Sequence, residues 1–302
     1  MSDQTHFGTQ IIQIFSWIWY VLLSILHGFY RQLIPVSLQT KYDLKGKRVL
    51  VTGAGGGIGR NIALNLAKKG CDLVLWDVFE VPNQETARLC KDYDVDVRSK
   101  TVDVTNREAV YAEAKKILAE VGPVDILFNN AGVISDSRHG FLTNNDERME
   151  KLMKVNVISH FWTVKAFLPA MMEQRSGHIV CLASAAGFVG APGLVDYCSS
   201  KFAALGFMEA LENETHVQGH PEIHFTSICP TFVDTPMIQN VNTFNRPLLS
   251  AEEVAKTAVE AIQLRRHAVF IPNQTSFLYA AKGVLPWNLF KSIVLKRKFD
   301  FA

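Results

Sequence analysis

Beyond residue 47, short apolar runs alternate with stretches whose apolar residues recur every three or four positions. "RVLVT" (48–52), "DLVLW" (72–76), 97–102, "VDILFN" (124–129), "HIVCLAS" (178–184), "IHFTSIC" (223–229) and "AVFIP" (268–272) read as strands. Between them, 58–69, 84–92, 106–120, 146–154, 157–174 and 197–215 carry helical spacing, and Ser250 with Glu253 forms a capping box for a helix to about 264. Strands apolar throughout, alternating with helices, predict an α/β fold. It has a mostly parallel, doubly wound sheet covered on both faces, in a single domain over 46–272.

The segment before this pattern is different. "IIQIFSWIWYVLLSILHGFY" (11–30) holds no formal charge over twenty residues. As a helix it extends ~30 Å, one hydrocarbon thickness. Gln13, Ser16, Ser24 and His27 fit a shallow seat in a monolayer equally well. A cleaved signal peptide and a core helix are the other readings, but no Lys or Arg occurs in the first ten residues. Residues 1–45 are expected to be a hydrophobic membrane anchor and linker. Arg31, Lys41, Lys45, Lys47 and Arg48 follow the segment, which places the main domain in the cytosol. The tail 273–302 is apolar with interspersed Lys and Arg. It reads as a second membrane-facing or substrate-entrance element, or as a helix packed on the core.

Charge and composition narrow the class. The 302 residues are 48% apolar and carry a net charge of +2, which gives no basic field for nucleic acid. Five cysteines without a C-x-x-C suit buried thiols better than disulfides. His216, His220 and His224 recur every four residues, but Gly219 and Pro221 break any helix that would align them, so no metal site is expected.

"VTGAGGGIGR" follows the first strand and opens a helix. Gly53, Gly57, Ile58 and Gly59 belong to a T-G-x-x-x-G-x-G turn, where backbone approaches a pyrophosphate at a helix N-terminus. Asp77 ends the second strand. Its carboxylate suits an adenosine ribose and repels a 2′-phosphate, which favours NAD over NADP; a helix cap is its other reading. Asp103, beside Val104 after strand three, suits the adenine amino group or a helix cap equally. Asn130, in "NNAG" (129–132), ends strand four beside the reversal of strand order.

Asn156 begins a helix, Ser184 ends strand five, and Tyr197 and Lys201 sit one helical turn apart in "DYCSSK". Taken singly these are a cap, a turn serine and a solvated pair. Together they suit alcohol oxidation. A phenol of pKa about 10 needs a neighbouring ammonium to act as a base near neutral pH. Lys201 supplies that charge and a ribose contact, and Ser184 stabilises charge on the substrate oxygen. Asn156 anchors a water on the proton path. Cys198, Ser199 and Ser200 read as the turn that carries the pair.

In this order the motifs resemble the short-chain dehydrogenase/reductase superfamily over about 46–272. The resemblance implies Asn156, Ser184, Tyr197 and Lys201 as a catalytic tetrad. It also implies cofactor contacts at Pro230, Val233 and Thr235. Where the family commonly has Pro-Gly after strand six, this chain has Pro230-Thr231. "CPTFVDT", "HFWTVKAFLPAMM" and "YCSSKFAALGF" resemble the lipid-droplet 17-beta-hydroxysteroid dehydrogenase and epidermal-type retinol dehydrogenase branch. That branch implies a lipophilic steroid or retinoid alcohol. It also implies a lipid-droplet or endoplasmic-reticulum location, and a homodimer through helices 157–174 and 198–213. The alternatives are an NADPH-dependent carbonyl reductase and a lipid-droplet surface protein with a regulatory nucleotide site. Loops 134–146 and 236–250 are expected to shape the pocket.

Overall fold

The computed structural model describes residues 12–23, 26, 38–134, 140–238 and 247–295. The chain divides into two compact units, Met1–Lys41 and Tyr42–Ala302. In the first, 12–23 are helical, and Phe15, Trp17, Trp19 and Tyr20 are exposed. The rest of the expected anchor, apart from Leu26, lies outside the described residues. Among those described, no helix is long and apolar enough to cross a membrane.

The second unit is built on a seven-stranded sheet in the order β3-β2-β1-β4-β5-β6-β7. The strands are β1 (Arg48–Thr52), β2 (Asp72–Asp77), β3 (Val97–Thr101), β4 (Ile126–Asn129), β5 (Gly177–Leu182), β6 (Ile223–Pro230) and β7 (Ala268–Ile271). Every pairing is parallel. The winding reverses between β1 and β4, which leaves a crevice at their carboxyl ends.

Successive strand residues feed opposite layers. Val49 and Val51 join one core with helices α1 (Gly57–Ala67), α2 (Glu80–Cys90) and α7 (Ala251–Gln263). Leu50 joins the other, with α3 (Arg107–Val121), α5 (Ser159–Glu173) and α6 (Val195–Val217). Trp76 and Phe167 meet in this second layer at 5.7 Å. Burial on both faces explains why the strands read as unbroken apolar runs rather than alternating ones.

Helix starts follow their caps. Ser250 Oγ accepts the Glu253 amide at 3.0 Å, as the capping box requires. Asn106 caps α3 and Asn145 caps α4 (Asp146–Met153). Helix α2 begins at Glu80, four residues before the expected start, because Pro82 falls in the first turn, where no amide donor is needed. The expected break between 154 and 157 is instead a π-helical turn, Lys154–Ile158, that joins α4 to α5. The tail forms two helices, α8 (Thr275–Val284) and α9 (Trp287–Leu295).

Candidate functional site

The glycine turn is set by close approach. A Cβ at Gly59 falls 2.0 Å from Gly53 O, and Gly53 itself has φ +66°. Only glycine lets the two backbone segments meet, and the left-handed φ adds a second demand. Helix α1 then begins after Gly56, its N-cap, with no side-chain cap and no carboxylate in its first turn. Its open N-terminus suits a phosphate, whose charge the helix dipole favours.

The Gly55 peptide is gripped from both sides. Its amide donates to Asp77 Oδ2 at 2.8 Å, and its carbonyl accepts from an Arg60 terminal nitrogen at 2.7 Å. Arg60 also donates to Thr86 Oγ1 at 3.0 Å and Pro82 O at 3.2 Å. Asp77 accepts the Phe79 amide through its other oxygen at 2.9 Å, and α2 is capped at Phe79 without a side chain. Asp77 is therefore a loop-holding carboxylate rather than a helix cap. Asp103 accepts the amide and hydroxyl of Thr105, closing a tight turn, and Asn106 takes the cap. Asn130 lies behind the turn, where its amide nitrogen donates to Thr52 O and Gly53 O at 2.8 and 2.9 Å.

At the far side, the π turn aims Asn156 inward. Its Oδ1 accepts the Val133 amide at 2.8 Å, and its Nδ2 donates to Val133 O at 2.9 Å and Ser200 Oγ at 3.0 Å. Ser200 donates onward to Tyr197 O at 2.7 Å. Ser200, read from sequence as mere helical turn, thus ties Asn156 to the Tyr197 turn. Its only sequence signal was the polar run between Tyr197 and Lys201. Lys201 is 4% exposed; its ammonium donates to Leu182 O at 2.9 Å and lies 5.6 Å from the Tyr197 ring centre. Both contacts offset the cost of burying a charge. Asn156 Oδ1 and Lys201 Nζ flank Gly132, at 3.5 and 3.7 Å from where its Cβ would stand. Ser184 Oγ donates to Pro230 O at 3.3 Å and accepts the Ala186 amide at 3.1 Å. The Thr231 amide donates to Ile271 O at 2.9 Å, so Pro230-Thr231 extends the β6–β7 pairing.

Asp196, just before Tyr197, accepts the Tyr197 amide and the Asn144 side-chain amide, each at 2.8 Å. Buried His160 contacts Cys181 Sγ at 3.8 Å. Burial, and then the Lys201 charge, push its pKa down to about 3. It is a neutral neighbour of the site. The four-residue histidine series is dispersed: His216 lies in the last turn of α6, His220 follows the helix and His224 lies in β6.

One cavity of about 1080 Å³ joins these parts. Its lining runs from Gly53, Gly57, Ile58 and Gly59 past Asp77, Asp103, Val104 and Asn130. It continues to Ser184, Tyr197, Lys201, Pro230, Val233 and Thr235. Asn156 stands behind the wall, fully buried. The uncapped helix, the glycine approach and the Asp77 carboxylate fit an adenine dinucleotide. The far end is apolar, walled by Phe188, Leu194, Phe270, Leu278, Tyr279 and Ile293. Of the loops expected to shape it, Ile134, Met237 and Ile238 line the cavity, whereas 135–139 and 239–246 lie outside the described residues. Sequence reasoning missed Arg60, whose signal was its place directly after the last glycine. It also missed Lys282, which had none.

Residues 47–246 match the family described as short chain dehydrogenase. The chain is 43% identical over 280 residues to estradiol 17-beta-dehydrogenase 11 of Pongo abelii, covering 93% of this chain and 91% of that one. It is 40% identical over 269 residues to epidermal retinol dehydrogenase 2 of Homo sapiens, covering 88% and 85%. A short chain dehydrogenase/reductase from Burkholderia phymatum in complex with NAD superposes with a TM-score of 0.73 at 28% identity, over 85% of this chain and 97% of that one.

Proposed function

The chain belongs to the short chain dehydrogenase family and is an oxidoreductase, and on that premise we propose that it oxidises a lipophilic alcohol, a 17-beta-hydroxysteroid or retinol, with NAD. The observation that carries this reading is the continuity of the cavity. The glycine turn and Asp77 stand at one end, Ser184, Tyr197 and Lys201 in the middle, and an apolar chamber at the other. The names of the relatives, a steroid and a retinol dehydrogenase, support the substrate class.

When bound, NAD supplies a hydride acceptor. Tyr197 takes the alcohol proton through its phenol oxygen, and Ser184 donates a hydrogen bond to the substrate oxygen as charge develops there. Lys201 holds the nicotinamide ribose and favours the phenolate by its charge. Asn156, anchored on Val133 and Ser200, orders a water that passes the proton outward. Asp77 accepts from the adenosine ribose and disfavours a 2′-phosphate, with Asp103 and Val104 beside the adenine. Pro230, Val233 and Thr235, which line the same cavity, would hold the carboxamide.

Residues 1–45 are assigned as anchor and linker, 46–272 as the catalytic domain and 273–302 as the substrate-facing tail. The exposed apolar side chains in 12–23 support attachment to an endoplasmic-reticulum membrane or lipid droplet, and the basic residues after the segment support a catalytic domain in the cytosol. Exposed Phe161 on α5 and Phe202 on α6 support a homodimer through these helices.

The test is a panel of steroid, retinoid and other lipid alcohols assayed with NAD in detergent. Wild type reduces NAD with at least one of them, and Tyr197→Phe abolishes the reaction. A wild-type enzyme inert with all of them, or a Tyr197→Phe variant of undiminished rate, overturns the reading. Glycosidase treatment checks topology through Asn213 and Asn273, whose sequons carry no glycan on a cytosolic domain.

A further inference from the structure

Helix α8 has no fully buried residue, yet Leu278, Tyr279 and Ala281 form a wall of the cavity's apolar end. A wall held without buried side chains depends on a few contacts for its position. Among the described residues, two of those contacts meet at Phe188, in the loop after Ser184. Lys282 donates from its ammonium to Phe188 O at 2.9 Å and stands 4.6 Å from the centre of the Phe202 ring. Tyr279 meets the Phe188 ring edge-on at 4.3 Å and stacks on Phe270 at 6.0 Å, and Phe188 packs on Phe270 at 4.9 Å. Phe188 is the fourth residue after Ser184, in a segment whose amides bond back to Ser184 O and Ala185 O.

We propose that Lys282 is a specificity-determining residue, latching α8 to the Ser184 loop and so fixing the depth of the chamber that receives the body of a lipophilic alcohol. Three observations carry this. A cation that spends its hydrogen bond on a backbone carbonyl and lies over an aromatic ring is a tether rather than a solvated charge. The carbonyl it holds belongs to the loop that positions Ser184. The same helix turn contributes Tyr279 and Ala281 to the cavity wall. An alcohol that fills the chamber contacts α8 and depends on its position. An alcohol too small to reach past Ser184 does not. The inference rests on the dehydrogenase reading above for its substrate and deepens it.

The test compares wild type, Lys282→Met and Lys282→Arg as full-length protein in detergent. Met keeps the apolar stem and removes the donor; Arg keeps both the donor and the ring contact. With NAD, kcat/KM is measured for a steroid or retinoid alcohol and for 2-propanol. Lys282→Met raises KM for the lipid alcohol about tenfold, the order expected for losing one hydrogen bond from a charged donor. KM for NAD and kcat/KM for 2-propanol stay at wild-type values, and Lys282→Arg restores the lipid alcohol. Amide hydrogen exchange, read without any substrate, rises together over 185–194 and 275–284 in Lys282→Met. Equal losses on both alcohols, no loss on either, or unchanged exchange in both segments overturns the latch. If wild type oxidises neither alcohol, the dehydrogenase reading fails, and the exchange measurement alone then decides whether Lys282 holds α8 to the loop.

Discussion

The side-chain amide of Asn156 donates to Ser200 Oγ at 3.0 Å, and Ser200 donates in turn to Tyr197 O at 2.7 Å. Two helices that meet only through folding are thus fastened at the turn that carries Tyr197. The π turn makes this possible. Its extra residue rotates Asn156 inward, toward Val133 and Ser200, rather than along the α5 surface.

Ser200→Ala removes the bridge and keeps the helix. The cost in stability is about 1 kcal/mol, that of one buried hydrogen bond. The Tyr197 turn is no longer fastened to Asn156, so kcat falls by about tenfold, the scale of a small misplacement near reacting groups. KM for NAD stays near wild type, since Ser200 does not line the cavity. Steady-state kinetics with the best lipid alcohol reads this directly. An unchanged kcat shows that the bridge plays no part in the reaction.

Gly59→Ala is severe for a geometric reason. The added Cβ meets Gly53 O at 2.0 Å and Asn130 Nδ2 at 2.6 Å, and the nearer obstacle is backbone. The turn has to open. Destabilisation of about 3 kcal/mol is expected, at the upper end for overpacking. NAD binding is lost with it, because the separation of Gly53 from α1 sets the pyrophosphate seat. Chemical unfolding and an NAD titration monitor the two effects. Gly56→Ala is the control: its Cβ meets nothing within 4 Å, and stability stays near wild type.

Most strands were legible because they are apolar on both faces, edge strand β3 with Arg98, Ser99 and Lys100 being the exception, and the parallel sheet follows from their alternation with helices. The glycine turn, Asp77, Ser184, Tyr197 and Lys201 were legible because their spacing is local. Contacts between distant segments left no such mark. The place of Arg60 after the last glycine marks the residue but not its partners Gly55 O and Pro82 O. Nothing in the tail announces that Lys282 reaches Phe188, 94 residues away in sequence. The α2 boundary was misplaced because Pro82 reads as a breaker until the first turn is known to leave its amide positions free. Asn130 read as a cofactor contact from its place at a strand end. It lines the cavity, and its amide also braces the glycine turn from behind.

Asp77→Ala separates two roles of one carboxylate. The substitution removes the acceptor of the Gly55 and Phe79 amides as well as a ribose contact. NAD affinity falls by about tenfold or more, as for loss of a hydrogen bond to a charged group. NADP binds the variant better than it binds wild type, because repulsion of the 2′-phosphate is gone. It does not reach wild-type NAD affinity, since Arg60 is committed to Gly55 O, Thr86 Oγ1 and Pro82 O. Dissociation constants of both cofactors for both proteins check this. NADP binding to the variant as tightly as NAD binds wild type shows that Arg60 leaves these partners.

Acid weakens the fold through two buried imidazoles. Burial first, then the Lys201 charge, lowers His160 to about 3; burial first, then the charges of His224 and Arg265, lowers His178 to about 3. Thr226 Oγ1 donates to Arg266 O at 2.6 Å, so it accepts from His178 Nε2 at 2.8 Å. A second proton on His178 then has to sit at buried Nδ1. In the unfolded chain both residues titrate near 6.5. Their folded values are depressed, so the unfolded state binds more protons between about 6.5 and 3, and stability is lost as pH falls through that window. Each contributes a slope of about 1.4 kcal/mol per pH unit, or a combined loss of about 2.7 kcal/mol between pH ~7.5 and ~5.5. His267, raised by its hydrogen bond to Glu212, works in the opposite direction and offsets part of this loss. Urea unfolding at the two pH values measures the difference. His160→Gln removes one imidazole from the balance and about halves the loss, whatever its effect on stability at neutral pH. A pH dependence as steep in that variant as in wild type shows that His160 is not the group that resists protonation.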